Sequence, residues 1–203
     1  MENISVKPPA RSAVRKKAAP RSQLDRGNWI ESAIDVLARE GVAGLRVEVL
    51  AKRCGVTKGS FYWHFKDRQD LLAAVLEHWR EGRIRDIEKT TSFTPGMERS
   101  QLHYAIEVYG ASRNRKGMSI ELAVRDWARH DPQAAAVVEA VDLYRLDCTR
   151  KLFVAAGMSD AEAKSRSLLL YACVFGLSLM HYAHFDDHPE DLKKRIAERI
   201  ISA

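Results

Sequence analysis

The stretch from Gly41 to Leu72, GVAGLRVEVLAKRCGVTKGSFYWHFKDRQDLL, decides how the rest of the chain is read. Two short helical patterns flank a four-residue turn, Cys54-Gly55-Val56-Thr57, the length a helix-turn-helix requires. The first runs from Arg46 to Cys54 through Val47, Leu50 and Ala51, and Gly55 closes it by permitting a positive φ. The second starts after Thr57, a residue able to cap it, and is expected to reach about His64. Val47, Leu50, Ala51, Val56, Phe61 and Phe65 can all face one small core. Lys58, Gly59, Ser60, Tyr62, Trp63 and His64 are then left on or near the exposed side. An exposed Tyr-Trp-His run is costly in water unless a partner covers it. The surrounding Lys52, Arg53, Lys58, Lys66 and Arg68 make that partner anionic.

A recognition helix lays its first residues against base edges in the major groove while flanking groups hold phosphates. Lys58 and Ser60 stand where base edges are read, and Gly59 removes bulk for close approach. Tyr62, His64, Lys66 and Arg68 are the phosphate candidates. A longer helix opened by Asp67 and Asp70, running from Arg68 to about Lys89, offers its own positive N-terminus.

Outward from this stretch, charge and periodicity divide the chain. Residues 1–68 carry fourteen Lys and Arg against seven Asp and Glu, and the remainder is close to neutral, within a total of +6 over 203 residues. A basic first third on a neutral body is the electrostatic footprint of a polyanion-binding head on a separate module. Residues 1–22, with Pro8, Pro9, Pro20 and six Lys and Arg, read as a flexible basic arm able to reach a neighbouring minor groove. The head follows at 23–68 and a second module at 69–203. Ile30, Ala33, Ile34 and Leu37 repeat at helical spacing before Gly41. Beyond Gly96, helices are expected at 97–112, 119–129, 132–156, 160–185 and 189–201. Asp131-Pro132, Ser159-x-x-Glu162 and Pro189 mark three of their starts. Period-two alternation is missing throughout, so the chain reads as all-α with about nine helices.

These residues carry a resemblance. The pattern Gly41-x-x-x-Leu45, Leu50-Ala51-Lys52-Arg53, Gly55-Val56-Thr57-Lys58-Gly59-Ser60-Phe61-Tyr62, His64-Phe65 and Asp67-Arg68 before Leu71-Leu72 resembles the DNA-binding domain of the TetR family of bacterial one-component regulators. It covers about a quarter of the chain. The resemblance implies a second module for ligand binding and dimerisation, with the last two long helices forming an intersubunit four-helix bundle. It places the DNA contacts at Thr57–His64, with Lys66 and Arg68 on phosphate. Where the family usually has Thr or Ser capping the second helix, Arg46 and Val47 stand here. Arg46 can restore a phosphate contact but not the cap, whose loss costs ~1 kcal/mol. The expected DNA-binding set is therefore Arg46, Thr57, Lys58, Gly59, Ser60, Tyr62, Trp63, His64, Lys66 and Arg68.

In the second module, Tyr104, Met118, Leu122, Trp127, Tyr144 and Phe175 are candidates to line an apolar effector pocket, together with Tyr109. Leu168, Leu169, Val174, Leu177, Leu179, Met180, Ile196 and Ile200 make the final two helices apolar over more than one face. They predict a homodimer through those helices. His181, His184 and His188 fall at i, i+3 and i+7, but a solvated helix end is the commoner outcome and no metal or cofactor is expected. Cys54, Cys148 and Cys173 form neither a disulfide framework nor a zinc spacing, which suits a reducing cytosol. No apolar run spans a membrane and no secretory signal is visible. An enzyme is disfavoured, since no nucleophile-base pairing, Gly-rich phosphate loop or HExxH spacing appears. The reading is a homodimeric repressor of cytoplasmic type, binding a palindromic operator and released by an unidentified small molecule. The alternative is an effectorless architectural or protein-partner-controlled DNA binder.

Overall fold

In the computed structural model the described residues are 24–110, 115–182 and 184–202, and among them every regular element is helical. The basic arm lies outside them. So do Ser112 and Arg113, next to the expected end of the helix that begins after Gly96, and the side chain of Tyr109.

Helix α1 (Arg26–Glu40) starts at a reciprocal capping box between Asp25 and Asn28 and buries Trp29, Ala33, Val36 and Leu37. A single 3-10 turn, Val42–Gly44, follows. Gly44 sits so close to α1 that a Cβ there would lie 2.7 Å from Glu40 Cβ and 2.9 Å from Val36 Cγ1. Helix α2 (Val47–Arg53) has no side-chain cap at Arg46, as its sequence implies. Its end is a Schellman turn: Val56 N–H reaches Ala51 O at 3.0 Å, Gly55 N–H reaches Lys52 O at 3.2 Å, and Gly55 adopts φ +68°. Helix α3 is only Lys58–Phe61, prolonged by turns to His64, and the Thr57 side chain makes no cap hydrogen bond. The capping role expected of Thr57 is thus filled by backbone geometry alone, leaving its exposed hydroxyl uncommitted to a cap.

Helix α4 (Arg68–Thr91) begins at Asp67, which accepts from Asp70 N–H, while the Asp70 carboxylate accepts from Lys66 N–H. The module is completed by α5 (Glu98–Gly110), α6 (Arg115–Ala128), α7 (Pro132–Ala155), α8 (Asp160–Leu179) and α9 (Pro189–Ile201). Asp131 caps α7 and Ser159 caps α8, as their sequences predict. Two boundaries differ. Helix α6 starts four residues before the expected 119, because Gly117 in a first turn, where amides lack intrahelical partners anyway, does not break it. Helix α8 stops at Leu179, with Met180 extended at φ −84° and ψ 143°, so the apolar run carried no stop signal. His181, His184 and His188 therefore do not share a helix, and no metal-ligating group forms among the described residues.

One buried cluster runs continuously from Trp29 and Phe61 of the head through α4 to Val124, Trp127 and Val141 of α6 and α7. A second unites α5, α7, α8 and α9 around Phe153, Leu170 and Ile200. The second cluster takes up part of the apolar surface expected at the dimer face. Val174 and Ile200 are buried in it and Ile196 packs against it, whereas Leu168, Leu169, Leu179 and Met180 of α8 and its C-cap stay exposed. The outward positions of α9 are charged: Glu190, Asp191, Lys194, Arg195 and Glu198. No helix among the described residues is long and apolar enough to cross a membrane.

Candidate nucleic-acid interface and ligand cavity

The head exposes the expected DNA-binding residues by burying the opposite sides of α2 and α3. Phe61 is fully buried, edge-on to Trp29 at 5.5 Å and stacked on Phe65 at 5.2 Å. Leu50, Ala51 and Val47 close the same core from α2. With Phe61 anchored, the next two side chains must turn outward: Tyr62 is 61% exposed and Trp63 83%. Arg46, Thr57, Lys58, Gly59 and Lys66 are exposed around them, and Ser60 and His64 are half-buried. Nine of the ten expected DNA-binding residues thus lie at the surface of one short segment or flank it.

Arg68 is the exception. Its Nε donates to Leu45 O at 2.6 Å and its Nη2 to Val42 O at 3.0 Å, so two of the guanidinium's five N–H groups are used inside the head. The structure gives Arg68 a structural role beside the phosphate role expected of it, tying the start of α4 to the 3-10 turn. A second partner was also missed: Lys58 Nζ lies 2.7 Å from Glu48 Oε1 across the α2–α3 turn. The hydrogen bond from Lys58 holds the Glu48 carboxyl below its ordinary range. Glu48 thereby steers the lysine head along the exposed face without sequestering it, since both side chains remain open to solvent.

Behind the head, α4 to α9 line a half-open cavity of about 870 Å³, α7 through Arg145. Tyr104, Met118, Leu122 and Phe175 line it, as expected of them. Trp127 does not. It is 4% exposed in the first core, where its indole N–H donates to Asp131 and, after the Ala134 amide, helps lower that carboxyl's pKa. Tyr144 does not either, for its hydroxyl donates to Glu88 Oε1 at 2.9 Å between α4 and α7. The sequence reading also passed over a four-residue ion network, two of whose members, Glu121 and Arg145, line the cavity. Arg125 bridges Glu121 at 2.8 Å and Asp142 at 2.6 Å, and Arg145 meets both at 3.2 and 3.3 Å. Burial opposes the Arg125 charge, yet the Asp142 hydrogen bond and the Glu121 charge raise its pKa above the ordinary value. Glu121–Arg125 and Asp142–Arg145 were visible as i,i+4 and i,i+3 pairs, but that the two pairs face each other was not.

Comparison with known proteins agrees with this arrangement. Residues 30–75 match the family model described as "Bacterial regulatory proteins, tetR family". The chain is 26% identical to the HTH-type transcriptional regulator AcrR of Shigella flexneri over 200 residues, covering 91% of this chain and 90% of that one. Its fold resembles that of a transcriptional regulator from Rhodococcus sp. Rha1, with a TM-score of 0.70 at 20% identity over 88% of this chain and 94% of the other. It also resembles the multidrug binding protein EbrR, solved with malachite green, with a TM-score of 0.61 at 19% identity over 88% of this chain and 98% of the other.

Proposed function

We propose that the chain is a DNA-binding transcriptional repressor of the kind described by the tetR family model that its residues 30–75 match. It binds a palindromic operator as a homodimer and leaves it when a small molecule fills the cavity. The observation that carries the DNA-binding face is the pair Tyr62 and Trp63, held outward on a fully buried Phe61, with Arg46, Lys58 and Lys66 of the same head also exposed. Lys58 and Ser60 read base edges; Thr57, Tyr62, Trp63, His64, Lys66 and Arg46 contact backbone and sugar. The head (23–68) and the remainder (69–203) act as reader and sensor, and the arm at 1–22 adds sequence-independent attraction.

Dimerisation places two heads for two half-sites. Leu168, Ala172 and Leu179 recur at helical spacing on the exposed side of α8, so a second copy covers that side, with the charged side of α9 at its margin. Coupling to the heads has two routes. Helix α4 runs from the Arg68 clamp to Ile87 and Thr90 on the cavity wall. Helix α6 lines the cavity through Met118 and packs on α1, with Lys116 Nζ 2.8 Å from Asp35. A ligand that fits the cavity better in one head spacing than another shifts the population and lowers operator affinity.

Selecting bound duplexes from a random pool tests the reading. An enriched inverted repeat, bound by two chains and lost steeply as salt rises, is the expected result. No enrichment at low ionic strength contradicts it. Thermal-shift screening of a ligand panel tests the sensor, because consistent silence favours an effectorless, partner-controlled DNA binder.

A further inference from the structure

The Glu121 carboxylate is 2% exposed and lies on the cavity wall. Its Oε1 accepts from Arg125 Nε at 3.1 Å, Arg125 Nη2 at 2.8 Å and Arg145 Nη1 at 3.2 Å, while its Oε2 is buried with no hydrogen-bond partner. Arg145, 4% exposed on the same wall, likewise has a buried Nε–H with no acceptor. An unpaired carboxylate oxygen out of water costs heavily, so such a group marks a place where something else completes the pairing.

We infer that the cavity takes an uncharged, largely apolar molecule carrying a hydroxyl group, whose O–H donates to Glu121 Oε2 and whose oxygen can accept from Arg145 Nε. This deepens the sensor reading above and rests on it. Within this network Glu121 and Asp142 already neutralise Arg125 and Arg145, so an ionic head group set against Glu121 would find no unmatched counter-charge there. A hydroxyl supplies both the missing donor and the missing acceptor and adds no charge. The apolar body has its surroundings in Met118, Leu122, Val174 and Phe175.

Three probes of one skeleton test this on the full chain by calorimetric titration: 4-hydroxybiphenyl, 4-methoxybiphenyl and a biphenyl bearing a trimethylammonium group. The hydroxyl probe is expected to bind about tenfold or more tighter than the methoxy probe, since it alone satisfies a charged acceptor, and the ammonium probe weakest. In Glu121→Gln the guanidiniums keep the amide oxygen and the amide N–H₂ takes the place of Oε2. The methoxy oxygen can then accept as well, and the hydroxyl preference should shrink to about twofold. Equal binding of hydroxyl and methoxy probes to the unaltered chain overturns the hydroxyl site but leaves the cavity a ligand site. Preference for the ammonium probe overturns it in favour of a cationic ligand. Failure of all three overturns the sensor reading together with this one. The comparison within the unaltered chain stands even if Glu121→Gln does not fold.

Discussion

Arg68 Nε lies 2.6 Å from the carbonyl oxygen of Leu45, so the first residue of α4 holds the loop between α1 and α2 in place. A second bond to Val42 makes the clamp two-pronged. Arg68→Ala should cost about 1–3 kcal/mol, because two carbonyls lose a charged donor. In a chain of this size that lowers Tm by roughly 2–4 °C per kcal/mol. Arg68→Lys should recover little, since one ammonium cannot replace a planar fork. Calorimetry without DNA is the check. An unchanged Tm together with a shallower salt dependence of DNA binding would leave Arg68 with the phosphate role alone.

Lys58 and Lys66 should fail differently. Lys58→Ala is expected to relax sequence preference by about 1–3 kcal/mol on the best site, as loss of a base-edge contact does. Lys66→Ala should weaken all duplexes alike and reduce the salt slope by about one. Titrations against operator and scrambled duplex at several salt concentrations separate the two. Equal loss of discrimination from both would contradict the assignment.

Gly59 separates folding from binding. A Cβ there would meet only Thr57 Oγ1, at 3.7 Å, an ordinary contact. Gly59→Ala should therefore leave the melting temperature unchanged or slightly raised, alanine being the better helix former. Operator affinity should fall about tenfold, roughly 1.4 kcal/mol, because the added methyl stands between α3 and the groove. Retained affinity would show that the groove does not approach Gly59.

The exposed side of α8 should govern assembly. Leu168→Glu combined with Leu179→Glu places two carboxylates on an apolar contact while disturbing no buried residue, both leucines being more than half exposed. Sedimentation should shift from twice the chain mass to 23.0 kDa, and operator affinity should fall with it. A dimer unaffected by both charges would locate the contact elsewhere.

Tyr144 should titrate late. The hydrogen bond it donates to Glu88, followed by burial, pushes its pKa from 10.0 up to about 12. A raised folded-state pKa means its contribution to stability is intact below pH 10 and is lost as pH climbs towards 12. The ultraviolet signal of tyrosinate should show one component above the rest, absent in Tyr144→Phe. A single unshifted titration would mean the Glu88 contact does not persist in solution.

The head was legible in sequence because its information is local. Gly55 and Phe61 act within a few residues of one another, and the outward turn of Tyr62 and Trp63 follows from burying Phe61. The caps at Asp67, Asp131 and Ser159 were legible for the same reason. The end of α8 was not, since helical periodicity continues past a residue whose extended backbone no local signal marks.

Composition and spacing were enough to establish an all-helical fold with a basic, aromatic-faced helix-turn-helix segment, for helix periodicity, capping and turn chemistry are properties of neighbouring residues. Which polar groups are spent inside and which are left over required the packed chain. Arg68 sits 23 residues from Leu45 and Arg145 24 from Glu121, and nothing along the sequence states that they touch. The same holds for the inward Ile196 and Ile200, for Trp127 and Tyr144 lying off the cavity, and for the empty acceptor on Glu121. Each depends on which helix faces which, and that is set by burying all the apolar surfaces at once.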